Sequence, residues 1–168
     1  MREVVPVFDA ELLARATELL AKMRADHLTL TTAESCTGGL IAGLFTEIAG
    51  ASDVVDRGFV TYSDKAKTQL LGVPGSLIRA NGAVSREVAE AMAEGALGQA
   101  HAGIAIAVTG VAGPGGGSYA KPVGLVHLAA ARAGRPTLHR ECRFGDIGRS
   151  AVRIATIVAA LELISEIL

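Results

Sequence analysis

The chain has 168 residues, 50% of them apolar and 20% charged, with a formal net charge of −1. That length and apolar share describe a single globular unit, residues 1–168, with a sizeable core, and the near-neutral charge with four Phe, two Tyr and no Trp excludes a basic, ring-stacking surface for nucleic acid. Cys36 and Cys142 form neither a metal-ligand spacing nor a disulfide framework, residues 1–8 carry no targeting pattern, and no apolar run reaches the roughly 18 residues of a membrane span, so a reducing cytoplasm is expected.

In chain order, Glu11, Leu12, Leu13, Ala16, Leu19, Leu20 and Met23 recur at helical spacing and predict a helix ending near 24–27. A strand is expected at 28–33, a helix at 39–48 stopped by Gly50, and a second strand at 58–62. A short helix then ends near Leu71 and Gly72, and Ser85 is read as the cap of a long alanine-rich helix, 86–97. Strands near 104–109, 124–131 and 139–144 precede a C-terminal helix at 149–168. Helix and strand alternate early, and the late strands are joined by a plausible hairpin at 131–135 containing Gly134. This order predicts an α/β fold, a three-layer α/β/α sandwich around a mixed, about five-stranded sheet, with no internal repeat or linker.

Three clusters carry chemistry. In Thr31-Thr32-Ala33-Glu34-Ser35-Cys36-Thr37-Gly38-Gly39, an apolar strand breaks into a turn that opens a helix. Such a turn can present Ser35 to a substrate, and Gly38 and Gly39 leave the first helical N–H groups open to a phosphate or oxyanion. An N-capped helix after a strand accounts for the same run. The second cluster, Tyr62-Ser63-Asp64-Lys65-Ala66-Lys67, supplies a phenol and two amines. A lysine held out of water can take a serine's proton, because burial disfavours the ammonium, whereas a lone helix lysine is ordinarily solvated. The third, residues 108–117, runs from an apolar strand into a Gly/Pro loop that brings bare backbone close to a ligand, yet it matches neither a P-loop nor a dinucleotide fingerprint.

These clusters, with Gly82-Ala83-Val84-Ser85 and Lys121-Pro122-Val123-Gly124, give five motifs in one order: A-E-S-C-T-G-G, Y-S-x-x-x-K-x-x-L-L-G-V, G-A-V-S, T-G-x-A-G-P-x-G-G and K-P-V-G. The chain thereby resembles the CinA C-terminal domain family, whose enzymatic members are nicotinamide-nucleotide amidases. The resemblance implies hydrolysis of the carboxamide of nicotinamide mononucleotide to the acid and ammonia, with no metal or organic cofactor, and a three-layer architecture. Carried onto matching positions, it implies Ser35 as nucleophile, Lys67 as its base and Tyr62 as proton relay or orienting partner; Lys65 falls on a variable position. Amides within Cys36, Thr37, Gly38 and Gly39 are expected to hold the oxyanion, and Thr109, the loop with Gly110 and Gly113, and Arg149 to hold phosphate and ribose. The family tail G-D-R-x-x-V/I-R is interrupted here, since Gly145-Asp146-Ile147-Gly148 precede Arg149, leaving Asp146 without a firm equivalent.

Longer family members carry a further N-terminal domain, whereas here Met1 lies almost directly before the first helix, so a stand-alone form is expected. The scattered His27, His101, His127 and His139 suggest no zinc site, His127 reads as a core or sheet-face residue, and Ser85 as structural. Cys36, which a helix start would activate, is a second choice of nucleophile. Partners are expected to be a small nucleotide and further copies of the chain, as a homodimer or larger assembly, with neither nucleic acid nor membrane. Two alternatives stay open: an amidase for another small carboxamide, and a non-catalytic accessory protein of competence or DNA damage.

Overall fold

The structure is a computed structural model that describes residues 7–168, so the reading of residues 1–6 lies outside the described residues. Helix α1 (Ala10–Ala25) starts at Asp9, whose carboxylate accepts from the Leu12 amide at 2.8 Å, and its stripe of Leu12, Ala16, Leu19, Leu20 and Met23 is buried. The chain leaves the helix through His27 at φ 55, with the Leu28 amide returning to the Met23 carbonyl, so strand β1 (Leu30–Glu34) starts two positions later than the apolar run suggests.

After α2 (Leu40–Thr46) and a single 3-10 turn at Ala51–Asp53 comes β2 (Val55–Val60). The strand was expected at 58–62; it sits earlier because it forms an edge of the sheet, where the exposed Asp56 and Arg57 cost little. Helices α3 (Asp64–Leu71), α4 (Gly75–Asn81) and α5 (Arg86–Gln99) follow. Helix α4 has no forerunner in the sequence reading, since seven residues after Pro74 with one buried side chain, Ile78, leave too little periodicity to read. Ser85 caps α5, its Oγ accepting from the Val88 amide at 3.3 Å. Strands β3 (Ile104–Gly110), β4 (Leu125–Arg132) and β5 (Leu138–Arg143) precede α6 (Arg149–Ile167).

The sheet order is β2-β1-β3-β4-β5, parallel across the first two pairings and antiparallel across the last two, which is the mixed five-stranded sheet expected. Alternation along the strands divides the core. Leu30, Ile104, Ile106, Val108, Val126 and Leu128 pack in the layer with α1, α2 and α6, while Ala33, Ala105, Ala107, Ala129 and Ala131 pack beneath α5, itself flanked by α3 and α4. His127 lies on the sheet face of β4 at 7% exposure, as expected, and its Nδ1 stands 3.0 Å from His139 Nε2 on β5, a pairing the sequence reading did not anticipate. Among the described residues, no helix is long and apolar enough to cross a membrane.

Small side chains on the α5 face let the helices approach closely, and Gly95 marks the limit. A Cβ there would stand 1.9 Å from the Leu71 carbonyl oxygen at the end of α3. At an open helix position, Gly→Ala stabilises by about 1 kcal/mol. Here the sign reverses: Gly95→Ala is expected to destabilise by about 1–3 kcal/mol, because backbone must move to admit the methyl. A urea midpoint that falls at unchanged slope checks this.

Candidate active site

The parallel strands end together, and their carboxyl ends build a pocket. Ser35 follows β1, Thr61 and Tyr62 follow β2, and Thr109 and Gly110 close β3. From β1 the chain turns to α2 on one face, and from β2 it crosses to α3 through α5 on the other, so a crevice opens where the two connections part. The pocket holds about 290 Å³, near the lower bound of the roughly 300–1,000 Å³ typical of small-molecule sites.

The serine and lysine meet at its floor. Ser63 caps α3, its Oγ accepting from the Ala66 amide at 3.1 Å, and this places Lys67 in the first turn. Its side chain returns beneath the end of β2, where Nζ donates to the Thr61 carbonyl at 2.8 Å and lies 3.1 Å from Ser35 Oγ. Lys67 is 1% exposed, and burial lowers its pKa from 10.5, against the smaller opposing pull of Asp64. Lys65 points to solvent.

The turn after Ser35 departs from expectation. Its glycines were read as leaving the first helical amides open to an anion, but a side chain of the same run occupies them. Glu34, fully buried, accepts at Oε2 from the Thr37 hydroxyl at 2.6 Å and from the amides of Gly39 and Ile41 at 3.1 and 3.0 Å, and at Oε1 from the Ala42 amide at 2.9 Å. A carboxylate suits a helix N-terminus, where unpaired N–H groups and the helix dipole both favour negative charge. The Gly38 amide donates to the Ser35 carbonyl at 3.0 Å. Gly38 and Gly39 serve the backbone, standing at φ 60 and 98, where side chains are strained. Gly38 and Gly39 therefore shape the turn without lining the pocket, and the Thr37 side chain is turned to Glu34. Among the described residues, the amides of Cys36 and Thr37 have no acceptor, and they are the turn's remaining donors.

Cys36 lines the pocket, yet the sequence-based expectation of an activated thiol is reversed. Burial pushes its pKa from 9.0 to about 11, opposed by its own backbone N–H, Arg153 and Lys67 and reinforced by Glu34, so at neutral pH it is a thiol. Cys36→Ala is accordingly expected to keep turnover within about tenfold of wild type, since no covalent step needs a thiolate there. Ammonia release by the purified variant checks this.

Above the floor, Arg149 spans the mouth. Its Nη1 donates to the Gly113 carbonyl and its Nη2 to the Tyr62 hydroxyl, both at 2.8 Å. Tyr62 is 61% exposed, and its hydroxyl accepts from Arg149 with no hydrogen bond to the Ser35 and Lys67 pair. Thr109 lies buried in the wall with its hydroxyl donated to the Ala83 carbonyl at 2.8 Å, and Gly110 and Gly113 contribute bare backbone. Asp146 is exposed outside the pocket. Sequence reasoning gave no role to Asp64, Ala83 and Val84, which line the pocket, or to Glu34 and Arg153 behind it. An acid closing an otherwise uncharged strand, directly before Ser35, was the available signal for Glu34.

Comparison with known proteins finds relatives over most of the chain. The model of the CinA C-terminal domain matches residues 13–168. The chain is 46% identical over 155 residues to the nicotinamide-nucleotide amidohydrolase PncC of Escherichia coli K12, covering 92% of this chain and 93% of that protein. A CinA-like protein of Syntrophus aciditrophicus is 45% identical and spans 99% of this chain, which corresponds to 39% of that longer protein. Among solved structures, the competence/damage inducible protein CihA of Agrobacterium tumefaciens superposes with a TM-score of 0.94 at 51% identity, covering 96% of this chain and 98% of that one. A CinA superfamily protein of Escherichia coli gives 0.89 at 33% identity, covering 99% and 96%.

Proposed function

The chain belongs to the CinA C-terminal domain family, and we propose that it is an amidohydrolase that converts nicotinamide mononucleotide to nicotinic acid mononucleotide and ammonia through a Ser35 nucleophile and a Lys67 base. The observation that carries this reading is the buried Lys67 Nζ, 3.1 Å from Ser35 Oγ on the floor of the pocket. A neutral amine held by Thr61 has a lone pair to accept the serine proton, and burial favours that neutral form.

As Ser35 Oγ bonds to the carboxamide carbon, its proton passes to Lys67, and the carbonyl oxygen becomes an oxyanion facing the Cys36 and Thr37 amides. Lys67 then returns the proton to the departing nitrogen. The C–N bond breaks, ammonia leaves, and an acyl ester remains on Ser35. Water, deprotonated by Lys67, releases the acid and restores the serine. Arg149 uses one N–H of each terminal nitrogen on Gly113 and Tyr62, keeping further donors for the substrate phosphate, with the Thr109 to Gly113 backbone beside it.

Purified protein incubated with nicotinamide mononucleotide, with and without chelator, tests the reading. Ammonia and acid are expected in equal amounts. Nicotinamide riboside, which lacks the phosphate, is expected to react with a KM raised at least ~10-fold, and Arg149→Ala is expected to erase most of that preference, as loss of a charged hydrogen bond implies. A folded wild type that releases no ammonia from nicotinamide mononucleotide would move the assignment to another carboxamide or to the accessory reading.

A further inference from the structure

Resting on that reading of the site, the buried acid behind the nucleophile raises a chemical problem. The reaction creates negative charge at the Cys36 and Thr37 amides, yet Glu34 already places a carboxylate under the same turn. Like charge at close range disfavours an oxyanion, most of all where water is excluded. The Cys36 thiol registers this local field: after burial and its own backbone N–H, Glu34 pushes its pKa up while Arg153 pulls it down.

Arg153 lies four residues beyond Arg149 on α6, hence on the same helix face. While Arg149 reaches the pocket mouth, Arg153 reaches the back of the turn, where its Nη2 donates to the Thr37 carbonyl at 3.0 Å. A Cβ at Gly38 would stand 3.3 Å from that nitrogen, so the bare glycine lets the guanidinium lie against the turn. Its Nε is buried with no hydrogen-bond partner among the described residues. A guanidinium kept half-buried with its Nε unused is poorly explained by hydrogen bonding alone, whereas its charge opposes that of Glu34 at the turn.

We infer that Arg153 is a positioning residue for the reaction: through the Thr37 carbonyl it orients the Cys36 and Thr37 amides toward the pocket, and its charge offsets Glu34 so that an oxyanion can form there. Arg153 touches the turn and acts through it. Its contribution falls on the charged transition state and leaves the neutral carboxamide of the ground state unaffected, so its loss should lower kcat with little change in KM.

Arg153→Met and Arg153→Lys in the full chain test this, read by kcat and KM for nicotinamide mononucleotide and by the rate at which a fluorophosphonate labels Ser35. The methionine variant is expected to lose ~30-fold in kcat with KM within ~3-fold of wild type, a part of the 100- to 1000-fold lost with a direct oxyanion donor. Labelling should slow in parallel, since the phosphonyl oxygen gains charge at the same amides. Lysine, which keeps the charge, is expected to return kcat to within ~5-fold of wild type. Equal losses in both variants would reduce Arg153 to a structural clamp and overturn the inference, as would a loss confined to KM or an unchanged kcat. If Arg153→Met fails to fold, Arg153→Gln, uncharged but polar, takes its place. A wild type that neither turns over nor is labelled at Ser35 removes the site reading and this inference together; a wild type that does both, matched by Arg153→Met, removes this inference alone.

Discussion

Replacing Lys67 by alanine is expected to lower kcat by about 10²- to 10⁴-fold, the range lost with a positioned general base, while the protein stays folded. Ser35→Ala is expected to lose on the order of 10⁴-fold or more, because no other side chain at the pocket floor can form the acyl ester. The double variant should be no worse than Ser35→Ala, since a base with no nucleophile to activate contributes nothing further. Multiplying losses would show that the two residues act separately and would break the dyad.

The pH profile follows from the same burial. Exclusion from water lowers the Lys67 pKa from 10.5, and only the neutral amine can take the serine proton. Activity is therefore present above the lowered value and lost as pH falls through it, giving a rising limb in kcat/KM that begins below the ordinary lysine range. The residual rate of Lys67→Ala is expected to lack this limb. A limb that survives the substitution would assign the proton to another group.

Glu34→Ala is expected to be the most destabilising single change in the site, at roughly 3 kcal/mol or more, because it strands three amides and the Thr37 hydroxyl in a buried space without an acceptor. For a chain of this length that corresponds to a fall in Tm of about 6–12 °C, at about 2–4 °C per kcal/mol. Glu34→Gln should cost less, about 1–3 kcal/mol, since its oxygen can keep the three bonds at Oε2 while its NH2 faces the Ala42 amide as a second donor. Thermal unfolding of both variants in the order Ala below Gln below wild type checks this. Equal stability would mean that water replaces the carboxylate, and the turn would not depend on Glu34.

Much of the site was legible in the chain. The break of an apolar strand into Ser35-Cys36-Thr37-Gly38-Gly39 located one side of the pocket, and the glycine loop after Ile104–Gly110 located the opposite wall. Periodicity, caps and apolar runs found α1, α5 and α6 and all five strands, since helices and central strands pack against the core. It missed α4, which buries little, and set β2 three residues late, where an edge strand carries charge in place of an apolar run. Ser35 lines the pocket, as its place at a strand end implied, whereas Cys36 was read as activated because a helix start lowers a thiol pKa, and burial, which sequence does not display, pushes it up instead.

By itself, then, the sequence determined the α/β order, the alternating faces of the core, and the placing of a serine, a phenol and lysines at strand ends, because these depend on residue type at short spacing. Tertiary structure alone buried Lys67 against Ser35, turned Tyr62 toward Arg149, gave the amides of α2 to Glu34 and brought Arg153 behind the turn. Those outcomes rest on distances between residues 32 to 116 positions apart, and for Glu34 on which side of a strand end the helix returns. No local propensity encodes either, because both arise only when the sheet closes and excludes water from the ends of its strands.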